Sequence, residues 1–119
     1  MSTVTGVLVL PGDAPTSAGV RAAVRVRDIT LSDAPTEAPV QQVDMLVDLA
    51  PRARIPFSIE VADEWLARAG GNEIELNLEV HIDRDANGIF SRGDLVSMKA
   101  HPLGPDAVGT EQEVPLVLV

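Results

Sequence analysis

The residues with the most chemistry on offer lie in "HIDRDANGIFSRGD", His81 to Asp94. Asp83, Asp85 and Asn87 alternate, Gly88 follows, and Asp94 stands at the twelfth position counted from Asp83. That is the spacing of a calcium loop. Calcium takes six to eight oxygen ligands, and alternate residues of a tight loop turn their oxygens toward one centre. Asp83, Asp85 and Asn87 would supply side-chain oxygen, Ile89 its carbonyl, and Ser91 a direct or water-mediated ligand. Asp94 would replace the usual glutamate, and its shorter arm weakens bidentate ligation. The same residues support a second expectation. Asn87-Gly88 is a strong signal for a hairpin turn, and a solvated hairpin tip needs no ion. The two expectations are compatible, since one hairpin can turn at Asn87-Gly88 and hold an ion.

Other chemistries find less support. The histidines, His81 and His101, would have to converge to act as a zinc or catalytic pair. His81 falls on the outer phase of a strand and His101 precedes Pro102, so surface or locally bonded roles are expected. Arg92-Gly93-Asp94 matches a cell-adhesion tripeptide, but Asp94 reads better as a ligand or a turn residue. The chain has no cysteine, which removes disulfides, thiol catalysis and thiolate zinc sites together. No nucleophile elbow, phosphate loop or dinucleotide fingerprint occurs. Three aromatic residues, Phe57, Trp65 and Phe90, are too few to line a sugar-binding cleft between paired carboxylates. A non-enzymatic protein is expected.

The elements that must position the loop follow from a period of two. Ile74, Leu76, Leu78, Val80 and Ile82 alternate with Glu73, Glu75, Asn77, Glu79 and His81, a strand with one apolar and one polar face. Ile55, Phe57, Ile59 and Val61 repeat the pattern, and Pro56 on the outer phase suits an edge or a strand start. Val20, Ala22, Val24 and Val26 face inward against Arg21, Arg25 and Arg27. That phase breaks at Ile29, so a bulge or a strand end is expected near Asp28. Val43, Met45, Val47 and Leu49 form another apolar face. "TVTGVLVL" and "EVPLVLV" open and close the chain as strands. "DLVSMKA" adds one more, with Val96, Met98 and Ala100 inward.

About seven short strands separated by turn signals predict a small antiparallel β-sandwich. One segment, "ADEWLARAGG", reads as a short connecting helix. Asp63 is its expected N-cap and Gly70 its C′ residue. A chain of 119 residues is one domain, residues 1–119, able to bury a core without staples.

Net charge is −9, from 18 acidic and nine basic residues. That balance disfavours nucleic acid and anionic lipid as partners. It suits solubility and cation binding. No apolar run approaches the roughly 20 residues of a membrane span. The start, "MSTVTGVLVLPGDAP", lacks the basic region and the long apolar run of a signal peptide, so export by that route is not expected. A trimmed precursor stays open, and with it both a cytoplasmic and an exported location.

A resemblance adds to this reading. Thr5-Gly6-Val7, the run from Val26 to Pro35, Gln41-Gln42, Ile55-Pro56-Phe57 and Ala100 to Leu103 together resemble the YbaY/YscW-type family over residues 4 to 103. That family contains the lipoprotein chaperones, or pilotins, associated with type III secretion. The resemblance implies a small β-sandwich. It also implies a non-enzymatic, chaperone-like module that captures a protein partner through a sheet face or edge, in the periplasm or at the outer membrane. The alternative function is a calcium-stabilised structural module with the ion in the 83–94 loop.

Overall fold

A computed structural model describes residues 1–30, 40–84, 92–97 and 101–119. Two sheets pack face to face. Strands β1 (Ser2–Val9), β4 (Arg54–Val61) and β8 (Gln112–Pro115) form the smaller sheet, in the order β4-β1-β8. The larger sheet has the order β3-β2-β5-β6-β9. It comprises β2 (Ser17–Asp28), β3 (Gln41–Leu49), β5 (Leu76–Asp83), β6 (Leu95–Val96) and β9 (Val117–Leu118). Strand β7 (Pro102–Leu103) also pairs with β5. All these pairings are antiparallel except that of β1 with β8, which is parallel.

Alternation dictates the core. On β2, Val20, Ala22, Val24 and Val26 are buried, and on β5 so are Leu76, Leu78, Val80 and Ile82. From the opposing sheet they meet Val4, Leu8, Phe57, Ile59, Val61 and Val114. Each large aliphatic side chain taken fully from water contributes roughly 1.5–3 kcal/mol, so these two inner faces dominate the stability. Strand β2 ends at Asp28, as the phase break predicts. Pro56 lies in β4, an edge strand of its sheet, where a missing N–H is tolerated.

Three sequence expectations need correction. The last segment is not one strand. It crosses at Leu116, which is 3% exposed, with β8 in the smaller sheet and β9 in the larger. The closing run thus ties the two layers together. Val96 does not face the core. It pairs with His81 while Leu95 pairs with Ile82, and cross-strand partners share a face, so Leu95 is the inward residue. Met98 and Ala100 lie outside the described residues.

The helix α1 (Asp63–Gly70) has Ala62 rather than Asp63 at its N-cap, and Gly71 rather than Gly70 as its C-cap. Asp63 sits in the first turn, where a negative charge still favours the helix dipole. There Asp63 accepts a hydrogen bond from Ser2 Oγ and stands 3.4 Å from the amino terminus. Both contacts hold its carboxyl below the usual 3.8. Leu66 is buried, and Trp65 packs partly on the core with the Arg68 guanidinium 5.3 Å from its ring centroid. That contact is a cation–π pair.

Gly6 has a steric reason. It pairs with Phe57 across β1 and β4 and with Gln112 across β1 and β8. A Cβ there would come within 2.4 Å of the Gln112 carbonyl oxygen and 2.7 Å of the Phe57 ring. Backbone and ring both crowd the position, so Gly6→Ala should lower stability by about 1–3 kcal/mol, the usual range for overpacking. Urea unfolding checks this, and an unchanged midpoint would show that β1 and β8 do not approach as described.

Candidate functional site

The outer face of the larger sheet carries the site. Its middle row is set by register. Ala23 on β2 pairs with Asp44 on β3 and with His81 on β5, and His81 pairs with Val96 on β6. In the next row Arg21 pairs with Leu46 and Asp83. Continuing the β5–β6 register by one step sets Asp94 opposite Asp83. Strand alternation therefore turns His81, Asp83 and Asp94 to one face.

These three side chains come together. One ligand atom from each lies within 4.8 Å of the others. His81 is 4% exposed, Asp83 7% and Asp94 0%. His81 Nε2–H donates to Asp94 Oδ2 at 2.9 Å, and the Arg84 backbone N–H donates to Asp94 Oδ1 at 3.0 Å. Further contacts fix the strand return. Gly93 N–H donates to the Val119 carbonyl, and Val119 N–H donates to that of Asp94, at 2.9 and 2.8 Å. The Arg84 guanidinium donates to the Gly93 carbonyl at 3.1 Å. Two ionised carboxylates this close repel by about 3 kcal/mol at an effective dielectric of 20. The arrangement therefore favours a neighbouring positive charge.

A hollow of about 90 Å³ opens beside the cluster. Its cause is the small side chain of Ala23 among long neighbours. Arg21, Arg25, Gln42, Asp44, His81 and Asp83 form its walls. The rim is a network. Arg21 donates to Asp44 Oδ2 at 3.1 Å, Arg25 to Gln42 Oε1 at 2.9 Å, and Gln42 Nε2 to Asp44 Oδ1 at 2.9 Å. The Gln42 bond, followed by Arg21, holds the Asp44 carboxyl below 3.8 against the opposing effect of burial. One row along, Arg27 and Glu79 pair at 2.7 Å. A larger hollow of about 370 Å³ lies by the end of α1, lined by Ile29, Ala69, Ile74 and Leu103 among others.

Of the six residues that the loop spacing names, two lie among the described residues. Asp83 and Asp94 are brought together from opposite ends of the loop. Asp85, Asn87, Ile89 and Ser91 lie outside the described residues, as does the Asn87-Gly88 turn. His81 occupies the outer phase, and of its two expected roles the bonded one holds and the surface one does not, since it is 4% exposed and paired with Asp94. The signal was His81-x-Asp83, two donors on one phase of one strand. Arg21, Arg25, Gln42 and Asp44 were also missed as a rim, since cross-strand register cannot be read from one strand at a time. His101 is locally bonded as expected. Its backbone N–H donates to Asn77 Oδ1 at 2.6 Å and its Nε2–H to Gln112 Oε1 at 3.0 Å. The two histidines share none of these partners. Full burial of Asp94 also removes Arg92-Gly93-Asp94 as an exposed adhesion motif.

The class defined by this fold is a small, mostly antiparallel two-sheet sandwich. The chain is similar throughout its length to a solved structure, that of an alternative pilotin from the type II secretion system of Vibrio cholerae. The TM-score is 0.67 at 11% sequence identity, covering 98% of this chain and 97% of that one. No protein-family profile and no curated protein matches the sequence.

Two predictions follow from the site. Asp94→Ala leaves the His81 imidazole and the Arg84 N–H without their buried acceptor, and should cost about 3 kcal/mol. Chemical denaturation measures this, and a loss below about 0.5 kcal/mol, the range of ordinary surface substitutions, would refute the buried bond. For Asp44, a depressed folded value means that its stabilising effect is present above 3.8 and is lost as pH falls through the lower folded value. Asp44 is 41% exposed, so solvent screening keeps that effect small. Carboxyl NMR should find Asp44 titrating below 3.8, and a midpoint at or above it would mean that the Gln42–Asp44–Arg21 network does not form.

Proposed function

We propose that this chain is a non-enzymatic, chaperone-like module that captures an extended segment of a protein partner by strand addition along β3. The observation that carries this reading is the edge itself. Among the described residues, nine-residue β3 is paired on one side only, with β2. An unpaired edge presents backbone donors and acceptors to any extended chain. The other edges suit this less well. Strand β4 carries Pro56, which lacks a donor, β8 has four residues and ends at Pro115, and β9 has two. Strand β3 contains neither proline nor glycine, and its Leu46 is 76% exposed beside the edge. The pilotin-like fold supports a partner-binding role, and the YbaY/YscW-type sequence elements point the same way. Fold alone does not assign function, so the edge carries the weight.

The test is a photo-crosslinking amino acid placed at position 46 in the source cell, with position 60 on β4 as control. A discrete adduct at 46, absent at 60, is the expected result. Adducts at both positions, or none at 46, would contradict capture at β3.

The meeting of Asp83 and Asp94 favours a second reading. In it the strand return is a cation-stabilised structural module, with calcium the ion that the loop spacing suggests.

A further inference from the structure

We infer that His81, Asp83 and Asp94 form a binding site for a divalent transition metal of the zinc or manganese type, rather than for calcium. This inference rests on the second reading above and names its ion class and its first ligands. Three observations carry it. First, the donor set is mixed. Calcium prefers oxygen alone, whereas an imidazole nitrogen beside two carboxylates suits zinc or manganese. Second, the spacing fits. Two donors about 2.1 Å from a tetrahedral zinc stand about 3.4 Å apart, so His81 Nε2 and Asp94 Oδ2, 2.9 Å apart, need to part only slightly. The third donor lies within 4.8 Å of both.

Third, the site has support and access. Arg84 N–H holds Asp94 Oδ1, which leaves Oδ2 directed at the imidazole. Such bonds behind a ligand orient it and raise metal affinity. The hollow over Ala23 reaches both His81 and Asp83 from the sheet surface, giving an ion an entry path and room for water ligands. On binding, the neutral His81 ring carries its one proton on Nδ1 and gives the Nε2 lone pair to the ion.

The histidine ring resonances provide the test, because the chain has two histidines and His101 serves as the internal control. The full chain is first stripped with a chelator and then titrated with zinc chloride, while ¹H–¹⁵N spectra of the rings are recorded. One equivalent of zinc should shift His81 and leave His101 in place. It should also raise Tm, since the ion binds only the folded state. Asp83→Asn keeps the His81–Asp94 bond and removes one of two close carboxylates, so it should fold without metal at an equal or higher Tm, yet bind zinc more than about tenfold more weakly. A shift at His101, no shift at either ring, or unweakened binding by Asp83→Asn would overturn the inference. Calcium chloride separates it from the reading beneath it. Stabilisation by calcium but not zinc overturns the ion class and keeps a cation-stabilised return, whereas no effect of either ion overturns both.

Discussion

Everything in this protein hangs on how β5 is paired. It lies between β2 and β6 in the larger sheet and gives its even-numbered side chains to the core. The same pairing decides what its odd-numbered side chains meet. Because side chains alternate strictly, a slip of one residue would send Leu78, Val80 and Ile82 to the outer face and pull His81 and Asp83 inside. The apolar face thus locks a polar arrangement on the reverse. Ala23, Asp44 and Val96 are carried to His81 by a register that the core enforces.

That coupling explains why a buried polar cluster can persist on the outside of a sheet. Burying carboxylates is costly unless they are hydrogen-bonded or matched by positive charge. Here the cost is met by geometry fixed elsewhere. Asp94 is held by the imidazole and by a backbone N–H, and its own carbonyl is held by Val119. Its position depends on the crossing at Leu116, which sends the last residues from one sheet to the other. The chain end is therefore part of the support of the site, although residue 119 lies far from His81 in sequence.

Much of the fold was legible. The alternations from Val20 to Val26, Ile55 to Val61 and Ile74 to Ile82 are strong because one face of each strand is buried and the other is polar. Pro56 also carried meaning, since a residue without an N–H suits an edge. What escaped was set by pairing between segments distant in sequence. Val96 is apolar on both phases of "LV", and only its partner His81 shows that it faces out. The closing run reads as one strand because nothing local marks the change of sheet at Leu116. In the site, Asp83 and Asp94 were visible through loop spacing. His81 was expected in a surface or locally bonded role, and alternation could not decide between them, since it predicts direction and not cover.

The β5–β6 register places His81, Asp83 and Asp94 together on the outer face. Nuclear Overhauser contacts across this pair test it most directly. Cross-strand contacts of His81 with Val96 and of Ile82 with Leu95 are expected, together with a contact between the His81 ring and the Asp94 methylene. A register shifted by one residue, with His81 opposite Leu95 and its ring among core methyls, would contradict it.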